Sequence, residues 1–445
     1  MPSTSALFAL LSAATAAATA ADGSTMALRV VPDAIAAPLG ARCLDGSNPS
    51  MYVRTSPTST EWVLFLEGGG WCFGLTPAAT LASCAGRSRG GGGSSKHNPN
   101  VTADYGGVLS GNSTINPRFV DFNMVFLKYC DGSSFGGLNA APQPHGAASV
   151  HFRGRACFDA LVQDLQKNYG LTKATEVILS GGSAGGLAVF YNLDHLADLL
   201  GDKVMLTGFP DAGFFLDAET LAGESWYREQ FQGADPLWNV TGSGGTNAAC
   251  LAATAKGEQW KCLMAEYIAP HLKTPIFIMN SAYDAYQLPN ILKSSCSLDL
   301  SKPNGCNATQ LAAVQHYHTL VGTRVAAAVA ANGASAPSGA FIDNCWVHEQ
   351  NVDYCHNQGN PNCVGWSPLE PGSQKWGYKT AVFVDRFQKS FTPAEAFASY
   401  YESRKAGKLP AKCSGAGAEE EVKSKCWAMI DAKTYPTNPT CVFKG

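Results

Sequence analysis

The chain has 445 residues, of which 45% are hydrophobic and 15% are charged. A chain of this composition can bury a large core, which excludes general intrinsic disorder. The formal net charge of -3 provides no basic excess, so the composition favours neither a nucleic-acid partner nor an anionic membrane surface.

The N-terminal segment is typical of a secretory signal peptide. A short polar start is followed by an apolar run from Ala6 and by an A-x-A pattern at Ala18, Thr19 and Ala20. The start lacks Lys and Arg, and an ordinary apolar first helix is the alternative interpretation. We expect residues 1–20 to form a signal peptide, and the run is too short to predict stable membrane insertion.

Cysteine content also favours an extracellular protein. Fifteen cysteines would be an unusual number of free thiols in a reducing cytosol, so the chain is predicted to contain disulfide bridges, with one thiol left over. The sequence contains no C-x-x-C pair and no histidine pair at zinc-finger spacing, and neither a metal ion nor an organic cofactor is predicted. Four N-x-[ST] sequons fit the same location, at Asn100, Asn112, Asn239 and Asn307.

Strand-like and helix-like segments alternate along the chain. The strand-like segments are EWVLFLE, NMVFLKY, EVILS, KVMLTGF, TPIFIMN and GAFIDNC, and the helix-like segments include RACFDALVQDLQKNY and LAVFYNLDHLADLL. This alternation predicts an α/β protein with a mostly parallel central sheet flanked by helices. Residues 210–273 and 286–338 are not bounded by obvious linkers, so residues 21–445 are predicted to form one domain.

The pattern G-x-S-x-G occurs twice, around Ser134 and around Ser183. A nucleophile elbow needs an incoming strand, a turn of small residues and a helix that starts at once. The segment around Ser183 has all three features, whereas no helix-like segment closely follows Ser134. Ser183 is therefore the predicted nucleophile, and Ser134 is predicted to lie in a loop near the site.

The other parts of an acyl-transfer site can be sought at predictable places. The tetrahedral intermediate needs backbone N–H donors from the residue after the nucleophile, Ala184, and from a glycine loop after an earlier strand. The segment WVLFLEGGGWCF supplies such a loop at Gly69, Gly70 and Trp71. Glycines suit this loop because the backbone must approach the substrate oxygen closely.

A serine nucleophile also needs a histidine base and a carboxylate that orients the histidine. Asp284 follows the late strand PIFIMN, and His348 follows the short strand in GAFIDNC. Asp211 in GFPDAGFF also follows a strand and is the rival acid. Both positions fit the expected chain order of serine, acid and histidine, and we favour Asp284.

Five motifs, LEGGGWCF, YCDGSSF, SGGSAGG, NSAYDAYQ and NCWVHEQ, together resemble the plant-type pectin acetylesterases and their animal relative, the Notum carboxylesterase. The resemblance runs from about residue 27 to the C-terminus. It implies an α/β-hydrolase fold, disulfide bridges and a secreted serine esterase. Its motifs assign the nucleophile to Ser183, the acid to Asp284, the base to His348 and the oxyanion loop to residues 69–71. Glu349 after the histidine and the loops near residues 90 and 335 depart from the pattern, and the two loops bear on substrate choice.

The predicted activity is removal of O-acetyl groups from pectin or a similar polysaccharide of the cell wall or matrix, through an acyl-serine intermediate. The expected partner is therefore an acetylated polysaccharide, and the expected location is extracellular, in the cell wall. The sequence makes no prediction of the oligomeric state.

Two other functions are alternatives. A fatty-acyl (palmitoleoyl-type) protein carboxylesterase, as in the animal relative, would need a deep apolar pocket. Six aromatic residues could line such a pocket, although core packing is their commoner role: Phe214, Phe215, Trp226, Tyr227, Phe231 and Trp238. A catalytically inactive carbohydrate-binding protein is the second alternative, and it would have no need for the complete set of triad candidates.

Overall fold

The computed structural model describes residues 25–102, 105–296, 298, 305–332, 337–352, 383–384, 390–408 and 428–431. The predicted signal peptide and residues 333–336 of the loop near residue 335 lie outside the described residues. In chain order the strands are β1 (Met26–Val30), β2 (Ser50–Arg54), β3 (Glu61–Leu66), β4 (Val101–Thr102), β5 (Asn123–Leu127), β6 (Gln143–His145), β7 (Ala148–Val150), β8 (Glu176–Gly182), β9 (Met205–Asp211), β10 (Phe277–Ser281), β11 (Gly339–Asp343), β12 (Phe383–Val384), β13 (Ser390–Phe391) and β14 (Ala428–Ile430).

The α-helices surround the sheet and vary from one turn to seven turns in length. They are α1 (Asp33–Leu39), α2 (Pro77–Arg87), α3 (Gly154–Asn168), α4 (Ala184–Leu200), α5 (Trp226–Trp238), α6 (Ala248–Ala253), α7 (Ala265–Ile268), α8 (Gln287–Asn290), α9 (Ala308–Asn332) and α10 (Pro393–Lys405). Short 3₁₀ helices lie at Gly107–Leu109, Leu171–Lys173, Gln259–Leu263 and Ala269–His271.

Local chemistry explains where two of these helices begin. The side chain of Thr76 caps α2 by accepting a hydrogen bond from the backbone N–H of Ala79, and a proline at the first helical position needs no such partner. Helix α10 begins with a full capping box between Thr392 and Glu395.

A ten-stranded sheet forms the centre of the fold, in the order β14-β11-β10-β9-β8-β3-β5-β2-β1-β4. The strands from β14 to β5 run parallel, whereas β2, β1 and β4 add antiparallel pairs at one edge. The mostly parallel sheet predicted from the sequence is therefore confirmed. The six predicted strands correspond to β3, β5, β8, β9, β10 and β11.

Successive residues of the central strands enter two different cores, as the two-residue period of a strand requires. In β3, Leu64 belongs to the core on the side of α3 and α4, while Phe65 belongs to the core on the side of α10. On that second side, the ring of Phe397 in α10 stacks on Phe209 of β9 at 3.7 Å between centroids. Both faces of the sheet are buried, which explains why its strands read as nearly continuous apolar runs.

Among the described residues, four disulfide bridges are formed: Cys43–Cys130, Cys72–Cys84, Cys250–Cys262 and Cys296–Cys306. Cys345 is disulfide-bonded as well, and Cys157 is a buried free thiol. The predicted use of cysteines in bridges is thus confirmed. Within the described ranges, no helix has the length and hydropathy needed to cross a membrane.

Candidate active site

Ser183 lies at a sharp turn between β8 and α4, with φ of 54°. A side chain is rarely tolerated in this conformation, and such strain is typical of functional turns. The turn needs small neighbours: a Cβ on Gly181 would lie 2.4 Å from the carbonyl oxygen of Gly185, and one on Gly185 would lie 2.0 Å from that of Leu66. The predicted strand, tight turn and immediate helix are all present.

His348 and Asp284 meet at the carboxyl ends of neighbouring strands, β11 and β10. Nδ1 of His348 donates to the Asp284 carboxylate, at 2.9 Å from Oδ1 and 3.0 Å from Oδ2. The Asp284 side chain is fully buried and also accepts hydrogen bonds from the backbone N–H groups of Tyr286 and Gln287. These backbone donors hold the carboxylate in place, so the structure brings the predicted acid and base together.

The surroundings of His348 favour its charged form while shielding it from water. Burial alone would lower the pKa of His348, but the Asp284 carboxylate, with contributions from Glu349 and Asp211, raises that pKa above its usual value. The ring of Tyr286 stacks on the imidazole, with centroids 5.3 Å apart. The imidazole of His348 is therefore oriented by the Asp284 carboxylate and packed against two aromatic rings, those of Tyr286 and Phe215.

Asp211, the rival acid, has a different set of partners. Its Oδ2 accepts hydrogen bonds from the backbone N–H groups of Gln350 (2.5 Å) and Asn351 (2.6 Å). Its backbone carbonyl accepts a hydrogen bond from the N–H of Ser183 at 2.9 Å. Burial, together with repulsion from Glu349, raises the pKa of the Asp211 carboxyl to about 7. Asp211 thus ties the turn that carries Ser183 to the segment that follows the histidine.

Glu349, the residue directly after His348, packs against the turn that carries Ser183. A Cβ on Gly182 would lie 2.6 Å from Oε1 of Glu349, and a Cβ on Gly68 would lie 2.9 Å from the same atom and 3.0 Å from Cβ of Ser183. The backbone of Glu349 has φ of 62°. The segments that carry His348, Ser183 and the glycine loop are therefore in direct contact.

The glycine loop after β3 has the conformation expected of a loop that must approach a ligand. Gly69 and Gly70 have φ of 123° and 64°, which only glycine adopts at little cost. Nη1 of Arg87 in α2 donates to the carbonyl of Gly69 at 2.8 Å. The indole of Trp71 packs edge-on against Phe215, with centroids 4.9 Å apart. The loop is therefore braced on both sides.

Ser134 links the glycine loop to the nucleophile turn. Its hydroxyl accepts a hydrogen bond from Nε1 of Trp71 at 2.7 Å and donates one to the carbonyl of Ala184 at 2.7 Å. The loop position predicted for Ser134, near the site, is confirmed. The sequence did not predict this link or the contacts of Arg87, Glu349 and Tyr286. Of these residues, only Ser134 was marked in the sequence, by the second G-x-S-x-G pattern.

The described residues of this site do not form a metal-binding group. Among the residues that the structure describes, no group of three or more His, Cys, Asp or Glu side chains is arranged to hold a metal ion. His318, one of two closely spaced histidines, is hydrogen-bonded through Nε2 to Asn344.

A family model described as Pectinacetylesterase matches residues 19–442. The chain belongs to this family. Pectin acetylesterase 11 of Arabidopsis thaliana is 32% identical over 326 residues, covering 70% of this chain and 77% of the relative. Palmitoleoyl-protein carboxylesterase NOTUM of Schmidtea mediterranea is 33% identical over 267 residues, covering 56% of this chain and 47% of that relative. The structure of the Wnt deacylase Notum from Drosophila matches with a TM-score of 0.67 at 22% identity, covering 86% of this chain and 94% of that structure.

This pectinacetylesterase-family protein is a carboxylic ester hydrolase with an α/β-hydrolase fold. The resemblance seen in the five sequence motifs is therefore confirmed. In such folds, ligands bind beyond the carboxyl ends of the parallel strands. Ser183, Asp284 and His348 all lie at that edge of the sheet, after β8, β10 and β11.

Proposed function

We propose that this protein is a secreted serine carboxylesterase that removes O-acetyl groups from pectin or a similar cell-wall or matrix polysaccharide. One observation carries the proposal. The imidazole of His348 is hydrogen-bonded to the buried Asp284, at the sheet edge where Ser183 occupies a strained turn between strand and helix. This arrangement suits a serine nucleophile with an oriented base.

In the first half of the reaction, Oγ of Ser183 attacks the acetyl carbon and His348 takes the hydroxyl proton. Nδ1 of His348 faces Asp284 and carries a hydrogen, so Nε2 is the proton acceptor. The tetrahedral intermediate then collapses. The sugar oxygen leaves with the proton from Nε2, and the acetyl group remains on Ser183.

The negative oxygen of the intermediate needs hydrogen-bond donors that are already in position. We assign this role to the backbone N–H groups of residues 69–71 and of Ala184. Ala184 is the first residue of α4, where backbone N–H groups have no partner within the helix.

In the second half, a water molecule replaces the sugar. His348 removes a proton from the water as its oxygen attacks the acetyl carbon of the acyl-serine. Collapse of this second intermediate releases acetate, and the proton returns from His348 to Oγ of Ser183.

Aromatic packing near the site favours a short acyl group over a fatty acyl chain. Of the six aromatic residues considered from the sequence, all but Trp226 are buried: Phe214, Phe215, Tyr227, Phe231 and Trp238. The rings of Phe215, Tyr227 and Phe231 pack on Trp71 and that of Trp238 packs on Phe231, with the centroids of Phe231 and Trp71 5.3 Å apart. The ring of Phe214 packs on Phe190. Core packing, rather than the lining of a deep apolar pocket, accounts for these contacts.

Three features support export and the choice of substrate. The N-terminal segment is typical of a signal peptide, with residues 21–445 proposed as one mature domain. The bridges suit an oxidising compartment. Relatives named as pectin acetylesterases make acetylated pectin the first substrate to test.

The test is hydrolysis of nitrophenyl esters from acetate to palmitate by the parent protein and by Ser183→Ala, both purified with intact disulfides. We expect acetate to react fastest and Ser183→Ala to lose at least about 10⁴-fold in kcat, without a large change in melting temperature. Release of acetate from acetylated pectin should follow the same pattern. Preference for long chains would instead support the fatty-acyl alternative, and polysaccharide binding without hydrolysis of any ester would support the inactive binding protein.

A further inference from the structure

The proposed oxyanion hole is assembled from two segments that are far apart in sequence. Residues 69–71 follow β3, while Ala184 begins α4 after β8. The donors must lie about 2.7–3.1 Å from one developing oxygen, so their relative position decides how well they stabilise it. A side chain that joins the two segments is therefore placed to control the rate.

The hydroxyl of Ser134 makes this connection directly. It accepts from the indole N–H of Trp71 and donates to the carbonyl of Ala184, both at 2.7 Å. The side chain is fully buried, so water does not compete for either hydrogen bond. One hydroxyl thus bonds to the last residue of the glycine loop and to the first residue of the helix.

The backbone around Ser134 is strained, and neighbouring groups hold it there. Ser134 and Phe135 have φ of 55° and 54°, a conformation that is costly for residues other than glycine. The Ser134 N–H donates to the hydroxyl of Tyr129, and the Phe135 N–H donates to the carboxylate of Asp131. This loop therefore aims the Ser134 hydroxyl between its two partners.

We propose that Ser134 is a positioning residue of the oxyanion hole, which sets the separation of the donors on residues 69–71 from the donor on Ala184. This inference rests on the proposed function, because it requires Ser183 to form an acyl intermediate. Ser134 makes no bond to the substrate; it acts through Trp71 and Ala184.

The neighbouring Ser133 provides a matched control. It is also buried, and its hydroxyl donates to Asp131 and accepts from the N–H of Gly137 at 3.0 Å, within the same loop. Ser133→Ala and Ser134→Ala each remove one buried hydroxyl from one turn. Only Ser134→Ala removes a link to the oxyanion segments.

The experiment measures kcat, KM, melting temperature and the inhibition constant of a boronic acid that forms a tetrahedral anionic adduct on a serine. For Ser134→Ala we expect kcat to fall about 10- to 100-fold with KM changed less than about 3-fold, and boronate inhibition to weaken in proportion. Ser133→Ala should lower the melting temperature by a similar amount while keeping kcat near that of the parent.

A second comparison uses Trp71→Phe, which keeps a ring but removes the indole N–H. If Ser134 acts through Trp71, the double variant loses clearly less activity than the product of the two single losses. Equal effects of Ser133→Ala and Ser134→Ala on kcat and boronate binding would overturn the inference. A parent protein without Ser183-dependent esterase activity would instead overturn the proposed function, so the two failures are distinguishable.

Discussion

The two turns with the pattern G-x-S-x-G hold their serines at nearly the same backbone angle φ but in different surroundings. Ser134 has φ of 55° and Ser183 has φ of 54°, and both are buried. Helix α4 starts directly after Ser183, whereas Ser134 is followed by a loop that leads to the β6–β7 pair. The same local pattern therefore produced two different environments.

The difference shows that the element after the serine matters more than the pattern itself. A helix start presents backbone N–H groups without intrahelical partners, which makes the turn at Ser183 suitable for stabilising a developing anion. The hydroxyl of Ser134 already donates to Ala184 and accepts from Trp71. A serine hydroxyl that already donates one hydrogen bond and accepts another is suited to holding neighbouring segments in place rather than to nucleophilic attack.

The largest expected effect comes from the two carboxylates near Ser183. Each of them, Asp284 and Asp211, is replaced in turn by asparagine. Asp284→Asn should lower kcat by about 10⁴-fold, because an amide no longer stabilises the required tautomer and charge of His348. Asp211→Asn should lower kcat by less than about 10-fold, because an amide oxygen can still accept from Gln350 and Asn351. Steady-state ester hydrolysis measures both effects. A larger loss in Asp211→Asn than in Asp284→Asn would reverse the assignment of the acid.

Glycine substitutions compare how tightly the two turns are packed. A Cβ on Gly185 would lie 2.0 Å from the carbonyl oxygen of Leu66, whereas a Cβ on Gly136 would lie 2.9 Å from a ring carbon of Tyr191 and 3.1 Å from the carbonyl oxygen of Gly245. We expect Gly185→Ala to cost about 3 kcal/mol of unfolding free energy and Gly136→Ala about 1 kcal/mol, because the overlap with neighbouring atoms is much smaller at Gly136.

Urea unfolding with the disulfides intact measures these costs. Gly90→Ala is the control, since no atom lies within 4 Å of the Cβ position of this exposed residue. Equal costs at residues 185 and 136 would show that the turn at Ser183 is no more constrained than the turn at Ser134.

The smallest expected effect concerns pH. His348 must be neutral to accept a proton, so kcat/KM should rise with pH through the pKa of His348. Asp211 is mostly ionised only above its own pKa of about 7, and its negative charge then contributes to raising the pKa of His348. Asp211→Asn should therefore move the acid limb of the profile to lower pH, by less than about one unit. Ser134→Ala should leave the limb where it is in the parent, because it removes no charge. A shift of the limb to higher pH in Asp211→Asn would contradict this electrostatic account.

Much of the fold was predictable because its signals are local. The apolar segments around β3, β5, β8, β9, β10 and β11 and the helical periodicity of α3 act over a few residues. The turn at Ser183 was also predictable, since small residues between a strand and a helix are visible in the chain. The antiparallel edge formed by β1, β2 and β4 was not predicted, because short edge strands carry little periodic signal.

Parts of the candidate site lacked such signals because the partners are distant in sequence. Ser134 bonds to residues 63 and 50 positions away, Trp71 and Ala184. Asp211 bonds to the N–H of Gln350, 139 positions away. In the sequence, Asp211 and Asp284 both stand at the end of a strand-like segment, and only their side-chain partners distinguish them.

The sequence by itself determined the α/β class, the order of the central strands along the chain, the family motifs and the candidates Ser183, Asp284 and His348, because these depend on residue chemistry and short-range pattern. Only the tertiary structure decided which carboxylate meets His348 and what Ser134 contacts. The physical reason is that a hydrogen bond needs atoms about 3 Å apart, and the folded sheet, rather than the chain order, brings residues from different strands to that distance.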